Sequence, residues 1–376
     1  MKNILFFTES LSGGGAEKVL VTLLNHLDKS KYCITLLTLV DTGVLKKDVD
    51  FSQITYRTVI KQSNHPILRW WYKVKYKLLY QYLPASLVNK WIIPQKGIDT
   101  YIAFTEGYCT KILAHTSKNK IAWVHCNLKE LPWTTDEHIY KNKEQEIIAY
   151  AKYDKVVTVS KDVQAVMVSD YFLRNVVTIY NPIDTQHIQN LSNESNCYEI
   201  KNGSFKIVSV GRLVPAKGYD LLIPIVSKLT QKGLDIHLYL LGEGSERNRL
   251  EQIIQEEKMS NHIHLLGYVK NPYPIMKQMD LFVCSSRSEG YSLVIAEALT
   301  LGLPVISMDC SGPNELLDNG KYGKLCNNHQ ELKKEIEKVF LQKDYFAELK
   351  TKTIKGNTRF NMNNTISAIE TMLSDL

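Results

Sequence analysis

Short apolar runs alternate with amphipathic helical segments along the chain, and this alternation limits the possible folds more than any other feature. Segment 16–27 is one such helix, because its apolar residues recur at spacings of three and four. Alternating strands and helices predict a parallel α/β architecture. The predicted strands are Ile4–Phe7, Ile34–Val40, Tyr101–Thr105, Ile121–His125, Lys155–Ser160, Val176–Tyr180, Phe205–Val210, His237–Leu241, Ile263–Leu266, Leu281–Ser285 and Pro304–Ser307.

The length of 376 residues exceeds the ~250–300 residues at which a single core stops growing, so we expect two domains. Segment 186–203 is rich in Asn, Ser, Glu and Gly. We predict that it links an N-terminal domain, 1–185, to a C-terminal domain, 204–356. The last segment, 357–376, is predicted to form a helix that packs back onto another part of the molecule.

Composition and cysteine usage exclude several classes of protein. The first apolar run, Ile4–Phe7, is too short for an export signal, and no apolar stretch reaches the ~20 residues of a membrane-spanning helix. We therefore expect a cytoplasmic protein. The seven cysteines are odd in number and never spaced C-x-x-C, which argues against a disulfide framework and a structural zinc site. They are Cys33, Cys109, Cys126, Cys197, Cys284, Cys310 and Cys326.

The most informative stretch is 285–299, where a predicted strand ends in a polar loop and a helix follows. Glu289 lies in the loop, Ser292 is a predicted N-cap, and Glu297 lies about a turn and a half into the helix. Ligands of open α/β sheets bind outside the carboxyl ends of the strands. Two carboxylates there suit a ligand rich in hydroxyl groups, because an ionised carboxylate is a strong hydrogen-bond acceptor.

Two further loops follow predicted strands in the second half. Segment 211–219 carries Arg212 and Lys217, and two cations in a loop shaped by Gly and Pro can converge on one pyrophosphate. Segment 240–244 reads Leu-Leu-Gly-Glu-Gly, but Arg247 stands where a G-x-G-x-x-G fingerprint needs its last glycine. Dinucleotide binding is therefore not favoured.

Together these segments resemble the family 4 retaining glycosyltransferases of the GT-B fold, most closely over 205–323. Glu289 and Glu297 have the spacing of that family, with Gly after the first and Ala-Leu after the second, and segments 302–306 and 312–316 also fit. The resemblance implies two Rossmann-like domains facing each other across a cleft. It also implies transfer of a hexosyl or N-acetylhexosaminyl group, with retention of configuration, from a nucleoside-diphosphate donor that we expect to be a UDP-sugar.

The resemblance further implies roles for individual residues of the second half. Glu297 would hold the ribose, Glu289 would lie by the donor sugar, and Arg212 and Lys217 would neutralise the leaving diphosphate. Tyr268 lies in the stretch whose backbone would read the base. The remaining residues expected around the donor are Gly211, Gly242, Gly290, Tyr291, Ser292 and Leu293.

The first half offers a loop of three glycines, Gly13, Gly14 and Gly15, between strand one and helix one. Backbone N–H groups can approach a ligand there, and the following helix N-terminus favours negative charge. No Lys-Ser/Thr follows at P-loop spacing, which disfavours ATP or GTP hydrolysis. By resemblance, this loop would face the donor sugar and the acceptor.

Two polar residues of the first half also follow predicted strands. His125 resembles the histidine that the family places near the reacting sugar carbon, although Cys126 stands where the family often has Asp or Gly. We expect His125 to contact the donor sugar rather than to act as an obligatory base. Glu106 also ends a strand and is predicted to reach the acceptor.

No cluster with metal-ligand spacing is apparent, neither D-x-D between strands nor His pairs at helical spacing. We therefore expect no metal and no cofactor, the nucleotide-sugar being a substrate. The charge on the diphosphate would be handled by Arg212, Lys217 and helix N-termini instead of Mg²⁺.

Segment 67–98, which we call the basic aromatic segment, has no Asp or Glu, six Lys/Arg and seven Trp/Tyr. Its aromatic residues suit a bilayer interface and its cations suit anionic headgroups. The alternative is an ordinary helix pair whose aromatic side chains pack on the N-terminal core. Single-stranded nucleic acid would also favour such a mixture, but no RNA-binding motif accompanies it, and we expect no nucleic-acid partner. Its cations and aromatics are Arg69, Lys73, Lys75, Lys77, Lys90, Lys96, Trp70, Trp71, Tyr72, Tyr76, Tyr80, Tyr82 and Trp91.

We therefore predict a glycosyltransferase that moves a sugar to a hydroxyl group of a saccharide or a lipid-linked glycan. The predicted setting is bacterial surface-polysaccharide synthesis, such as lipopolysaccharide or capsule, at the inner face of the plasma membrane. Two alternatives remain at this point. One is an NAD-type oxidoreductase, and the other is a glycan-binding relative that has lost catalysis.

Overall fold

The computed structural model describes residues 1–62, 65–196 and 198–376, without the side chains of 66–69. Cys197 and the side chain of Arg69 therefore lie outside the described residues. The chain divides into two compact units, of which the first is Met1–Pro182 with Asn363–Leu376 and the second is Ile183–Met362. Within the described part of the chain, every helix is too short or too polar to cross a membrane.

The first unit is built on a seven-stranded sheet in the order β3-β2-β1-β4-β5-β6-β7, with every neighbouring pair parallel. Its first six strands follow the Rossmann order, which places a ligand crevice where β1 and β4 diverge. The strands are β1 (Lys2–Thr8), β2 (Tyr32–Val40), β3 (Ile54–Ile60), β4 (Thr100–Ala103), β5 (Asn119–Val124), β6 (Lys155–Thr158) and β7 (Val176–Thr178).

The second unit repeats this topology in a six-stranded parallel sheet with the order β10-β9-β8-β11-β12-β13. Its crevice therefore lies where β8 and β11 diverge. The strands are β8 (Phe205–Val210), β9 (Ile236–Leu241), β10 (Ile263–Gly267), β11 (Leu281–Cys284), β12 (Val305–Met308) and β13 (Lys324–Cys326). The predicted α/β class and GT-B pattern of two Rossmann-like domains are confirmed.

Helices connect successive strands, as is usual for parallel pairing, except between β2 and β3, where the connection contains only short turns of 3-10 helix. They are α1 (Gly15–His26), α2 (Pro66–Lys77), α3 (Ala85–Ile92), α4 (Tyr108–Leu113), α5 (Trp133–Asp136), α6 (Lys143–Tyr150), α7 (Lys161–Ser169), α8 (Thr185–Leu191), α9 (Tyr219–Gln231), α10 (Arg247–Glu256), α11 (Tyr273–Met276), α12 (Leu293–Thr300), α13 (Ser311–Leu316), α14 (His329–Leu341), α15 (Lys343–Asn357) and α16 (Met362–Ser374). Single turns of other helix types occupy Val44–Asp48, Phe51–Gln53, Leu78–Tyr82 and Pro215–Lys217.

The central strands are apolar because helices cover both of their faces. In β1, the run Ile4–Phe7 is completely buried. Helix α1 buries one face, which carries Val19, Leu20, Leu23 and Leu24. The strands missed by the sequence prediction, β3 and β13, both lie at the outer edge of a sheet. An edge strand has one neighbour only, and β3 accordingly exposes polar residues between its buried ends.

The boundary between the units lies before the predicted linker 186–203, which corrects that prediction. Helix α8 occupies the first part of this stretch, and the Asp184 carboxylate accepts the His187 amide at its start over 2.9 Å. Ile188 is buried in the core of the second unit, so α8 belongs to that unit. Part of the polar composition that suggested a linker belongs to the exposed face of this short helix, and the described residues after it, 192–196 and 198–203, form turns and irregular backbone.

The C-terminal helix α16 packs on the first unit, as the sequence predicted. The Glu370 carboxylate accepts the Asp28 amide at 3.0 Å and pairs with the Lys31 ammonium at 2.8 Å. The ammonium of Lys2 donates to the carbonyl of Leu373. The chain thus returns to its first domain after completing the second.

Candidate active site

Two loops meet at the carboxyl end of the second sheet, one after β8 and one after β11. Ser285 Oγ donates to the Lys217 carbonyl at 2.8 Å, and the Arg287 amide donates to Ala216 at 2.8 Å. Gly218 has a φ of +66°, and a Cβ there would lie 2.2 Å from the Ser285 carbonyl oxygen. Only glycine fits this approach, so the two loops form one rigid surface.

Lys217 and Glu289, which are 72 positions apart in sequence, form an ion pair on this surface. Lys217 Nζ lies 2.5 Å from Glu289 Oε1, and the Ser286 hydroxyl donates to the same oxygen at 2.7 Å. Only 21% and 11% of the two side chains are exposed. Burial opposes the charge on Lys217, but the Glu289 carboxylate raises the pKa of Lys217 above its ordinary value. A charged ammonium is therefore held at the crevice of the second sheet.

The two cations predicted for this site differ in their surroundings. Arg212 is exposed, and no described residue forms an ion pair with it. A third cation, Arg287, was missed by the sequence analysis. Its guanidinium makes a bidentate pair with Asp220, both bonds 2.9 Å, and donates to the Pro215 carbonyl. Arg287 therefore braces the loop that carries Lys217, and its position inside the 285–299 motif was the available signal.

The glycines after β8 and β9 have a structural reason to be glycine. A Cβ on Gly242, where φ is +147°, would lie 1.9 Å from the carbonyl oxygen of Gly211. The Gly211 amide donates to Leu241 at 2.9 Å, and the Gly242 amide donates to Gly267 at 2.8 Å. The loops after β8, β9 and β10 are thus joined, and the exposed side chain of Tyr268 follows directly. Their contact with a donor stays a prediction.

The loop from Glu289 to α12 packs against the start of α13. The Gly312 amide donates to the Glu289 carbonyl at 3.0 Å, and a Cβ on Gly312 would lie 2.9 Å from the Tyr291 backbone. Gly290 is buried, whereas Tyr291 and Leu293 are half-buried. The backbone of this predicted donor-binding segment is therefore fixed before any ligand binds.

Ser292 occupies the N-cap position of α12, as predicted, but its hydroxyl makes no capping hydrogen bond. The side chain is buried, and Ser292 Oγ has no hydrogen-bond partner among the described residues. Buried polar atoms are nearly always paired. Ser292 Oγ is thus an unpaired buried hydroxyl at the start of α12, directly after the Glu289 loop.

Glu297 is held inside the second unit, where it is 4% exposed. The hydroxyl of Tyr273, itself buried on α11, donates to Glu297 Oε1 at 3.1 Å. A buried carboxylate needs such partners, because removing its charge from water is costly. Tyr273 is a positioning residue that the sequence analysis did not identify.

Glu106 and His125 form a separate cluster at the carboxyl end of the first sheet. The Glu106 carboxylate accepts the amide N–H groups of His125 and of Cys126, the latter at 2.8 Å. Burial raises the pKa of Glu106, although these amides oppose the shift. Glu106, predicted to reach the acceptor, is thus engaged with the loop that carries His125.

The imidazole of His125 lies against Phe104 and Trp123, with ring centroids 4.9 and 6.5 Å away. Its Nε2 lies 2.8 Å from the Phe104 carbonyl, which can only accept, so Nε2 carries the proton. Burial lowers the pKa of His125 to about 4. His125 is therefore a neutral imidazole at neutral pH.

The glycine loop of the first unit is preceded in the chain by Glu9, a carboxyl group that the sequence analysis missed. Gly13 has a φ of +106°, Gly14 is the N-cap of α1, and Gly15 begins the helix. Glu9 directly follows β1 and accepts from the Tyr80 hydroxyl at 3.4 Å. Burial, with smaller effects from nearby carboxylates, raises the pKa of Glu9 to about 7. The available signal was an acidic residue at a strand end.

The basic aromatic segment has two faces, one packed on the core, as the helix-pair alternative predicted, and one exposed; membrane binding stays a prediction. Tyr72, Tyr76 and Tyr80 pack against the core of the first unit, and their rings are stacked, with centroids 6.4 and 5.1 Å apart. The opposite face carries exposed apolar side chains. They are Trp70, Trp71, Val74, Leu78 and Tyr82, with Trp91 on α3.

Comparison with known proteins supports one family throughout the chain. The model of glycosyltransferase family 4 matches residues 13–187, and the model of glycosyl transferases group 1 matches residues 192–358. An uncharacterized glycosyltransferase of Methanocaldococcus jannaschii is 31% identical over 288 residues, covering 73% of this chain and 68% of the relative.

A second relative, from Campylobacter jejuni, is 29% identical over 366 residues, covering 94% of this chain and 95% of its own. It is named N-acetylgalactosamine-N,N'-diacetylbacillosaminyl-diphospho-undecaprenol 4-alpha-N-acetylgalactosaminyltransferase. Among solved structures, Anabaena HepE in complex with UDP and glucose matches with a TM-score of 0.77 and 20% identity, covering 100% of both chains. The chain therefore belongs to the family 4 glycosyltransferases of the GT-B fold.

Proposed function

We propose that this glycosyltransferase moves a sugar, with retention of configuration, from a UDP-sugar to a hydroxyl group of a saccharide or lipid-linked glycan. The observation that carries this proposal is the Lys217–Glu289 pair at the crevice of the second sheet. The UDP in the solved HepE complexes supports the choice of nucleotide. The name of the Campylobacter relative, which specifies a diphospho-undecaprenol acceptor, supports a lipid-linked glycan and bacterial surface-polysaccharide synthesis.

On the donor side, the leaving group is a nucleoside diphosphate that gains negative charge as the sugar departs. Lys217 offers a charged ammonium with little exposure to solvent, where its attraction for that charge is strong. Arg212 is exposed and can turn onto the diphosphate with two parallel N–H groups. Glu297 would accept hydrogen bonds from the ribose hydroxyls, and Ser292 Oγ would pair with a polar donor group.

In the transfer step, the acceptor oxygen attacks the anomeric carbon while the bond from that carbon to the diphosphate oxygen breaks. Retention follows if attack comes from the leaving-group face, with a diphosphate oxygen taking the acceptor's proton. His125, neutral at working pH, would hydrogen-bond the donor sugar without contributing charge. Because Lys217 and Arg212 supply the positive charge, we propose that transfer needs no added Mg²⁺ or Mn²⁺.

A thermal-shift comparison tests the donor proposal. The purified chain is heated with UDP, GDP, ADP, NAD or a UDP-sugar, because a ligand that binds only the folded state stabilises it, by ~2.7 kcal/mol at a hundredfold excess over Kd. We expect a shift with UDP that is lost in Glu297→Ala and kept in Glu256→Ala, which removes an exposed carboxylate of the same unit. A shift with NAD and none with any nucleoside diphosphate would overturn the donor proposal.

A turnover assay distinguishes an active enzyme from a glycan-binding relative that has lost catalysis. Release of UDP from UDP-sugars is measured with and without saccharide acceptors, in the presence and absence of Mg²⁺, and the product's anomeric configuration is read by NMR. We expect acceptor-dependent release, unchanged by Mg²⁺, and a product with the donor's configuration. UDP binding without turnover on any acceptor would favour the inactive relative, and an inverted product would contradict retention.

We propose in addition that the protein works on the inner face of the plasma membrane through the basic aromatic segment. Trp70 and Trp71 are 58% and 57% exposed, and Tyr82 and Trp91 are 66% and 64% exposed. Exposed aromatic side chains among cations, without acidic residues, suit an anionic lipid surface. A membrane surface there would bring the enzyme to a lipid-linked acceptor.

A further inference from the structure

A group of metal-ligating side chains lies at the amino end of the second sheet. Asp235 precedes β9, His237 is the second residue of β9, and His262 precedes the neighbouring strand β10. One ligand atom from each of the three lies within 4.8 Å of the others. The sequence analysis considered D-x-D and His pairs at helical spacing and did not identify this group. The spacing Asp-Ile-His at one strand and His-Ile-His at the next was the missed signal.

The imidazole of His237 is oriented toward this cluster. The residue is 1% exposed, and its Nδ1 lies 3.0 Å from Nε2 of His264. Its own Nε2 has no hydrogen-bond partner among the described residues and lies 3.6 Å from Asp235 Oδ1. If Nδ1 donates to His264, Nε2 carries a lone pair directed beside the carboxylate. A buried, unpaired ring nitrogen is costly unless something binds it.

The ring of His262 is also oriented by a hydrogen bond, in this case to the backbone. Its Nδ1 lies 3.1 Å from the Ile236 carbonyl oxygen, which can only accept, so the second ring nitrogen keeps a lone pair. The rings of His262 and His237 lie 4.7 Å apart. Metal-binding histidines in proteins usually donate their other N–H to such a group, which fixes the tautomer and the ring orientation.

We propose that Asp235, His237 and His262 bind a Zn²⁺-class divalent cation, with water completing a four-coordinate site. Two imidazoles and one carboxylate favour Zn²⁺ over Mg²⁺ or Ca²⁺. Tetrahedral Zn²⁺ places its nitrogen and oxygen ligands about 3.3 Å apart, close to the 3.6 Å between His237 and Asp235. Asp235 is exposed and His262 half-buried, so both can adjust. The ion would join the starts of β9 and β10, at the end of the sheet opposite Lys217 and Glu289.

Titration of the metal-free full-length protein with Zn²⁺ and Co²⁺ tests this site without any sugar substrate. We expect one equivalent of Zn²⁺ to bind and raise the melting temperature, and Co²⁺ to show the intense visible absorption of four-coordinate cobalt. Loss of a group that supports a metal ligand costs about 10–100-fold in affinity, so Asp235→Asn and His262→Ala, which remove ligands, should each weaken Zn²⁺ binding by about 100-fold or more. His187→Ala, which removes an exposed histidine of the same unit, should bind like the unaltered protein.

Two results would overturn the proposal. One is the absence of Zn²⁺ binding by the unaltered chain, and the other is equal binding by Asp235→Asn. Because Asp235 is exposed, Asp235→Asn leaves no cavity and should stay folded, which circular dichroism checks. The UDP-induced thermal shift, measured on the same samples, should persist in Asp235→Asn. Failure of the metal site is thus distinguishable from failure of the donor site.

Discussion

The two sheets of this glycosyltransferase share a strand order, but the side chains at their carboxyl ends differ in charge. In the second unit, a charged ammonium and a carboxylate, Lys217 and Glu289, are paired in a crevice. In the first unit, Glu9 and Glu106 have raised pKa values, and His125 is neutral at neutral pH. Among the described residues, no lysine or arginine forms an ion pair with Glu9 or Glu106. The shared topology determines where a ligand can bind, and the side chains determine its charge.

This difference supports our proposal that the diphosphate binds to the second unit, and it extends the proposal to a neutral, hydroxyl-bearing partner at the first unit. A paired cation suits a diphosphate, whereas carboxyl groups that resist ionisation suit hydroxyl groups. Glycine contacts also join three loops at this end of the second sheet. The following experiments test this contrast.

Replacement of Lys217 in the second unit should have the largest effect on catalysis. We expect Lys217→Ala to lower kcat/KM by about 10²–10³-fold, because the departing diphosphate loses its stabilising charge. Lys206→Ala, at the amino end of β8 and 3.9 Å from Asp280, is the matched control and should stay near the unaltered rate. Steady-state kinetics measures both.

Lys217→Ala also leaves Glu289 without its charged partner, so the effect on stability must be separated from the effect on catalysis. The double variant Lys217→Ala/Glu289→Gln should regain thermal stability without regaining turnover, because neutral Gln tolerates burial better than an unpaired carboxylate. Near-normal turnover in folded Lys217→Ala would contradict the assignment of the diphosphate to this unit.

The rigidity of the second unit is tested at Gly218. Gly218→Ala places a methyl group against the Ser285 carbonyl at a φ of +66°, and we expect a loss of about 3 kcal/mol in unfolding free energy. Gly233→Ala, with a φ of +91° but nothing within 4 Å, isolates the backbone strain and should cost about 1 kcal/mol. Chemical denaturation measures both, and equal losses would show that the loop contact contributes nothing.

The raised pKa of Glu9 predicts that the stability of the folded protein depends on pH. Tyr80, Glu137 and Glu17 are the titratable groups that face Glu9. The folded pKa of about 7 exceeds the ordinary 4.5, so the folded state binds the proton more tightly. The stabilisation by Glu9 is therefore complete below about pH 4.5 and is lost as the pH rises through 7. Glu9→Gln should raise the unfolding free energy at pH 8 by about 2 kcal/mol and have little effect near pH 4.5.

Melting curves across this pH range check the prediction at Glu9. The exposed Glu144 of the same unit supplies a control, since Glu144→Gln should change stability little at either pH. If Glu9→Gln and Glu144→Gln respond alike, the pKa of Glu9 is not raised by its surroundings.

The exposed face of the first unit should show the smallest effect per residue. We expect Trp70→Ser/Trp71→Ser to weaken binding to anionic liposomes about tenfold, equivalent to ~1.4 kcal/mol, in co-sedimentation at low salt. Phe172→Ser, which removes a 77%-exposed aromatic residue elsewhere in the unit, should have no effect. Higher salt should weaken binding of the unaltered chain. No binding at low salt would refute attachment through this segment.

Much of the fold was predictable because its signals are local. Apolar runs identified the central strands, and the segment 285–299 placed Glu289 in a loop and Ser292 at the start of α12. Of the four edge strands, β7 and β10 were predicted, whereas β3, which exposes polar residues between its buried ends, and β13, which has only three residues, were missed. The helix α8 was missed because short polar helices resemble linkers.

The sequence by itself determined the alternation of elements, the two sheets and the residue types at strand ends. Only the tertiary structure decided which of these residues meet. Lys217 contacts Glu289 because β8 lies beside β11, and His237 approaches His262 because β9 lies beside β10. Packing likewise decided that Tyr76 faces the core while Trp70 faces solvent. Periodicity records the environment within one element, whereas contacts between elements depend on strand order and register, which no local pattern contains.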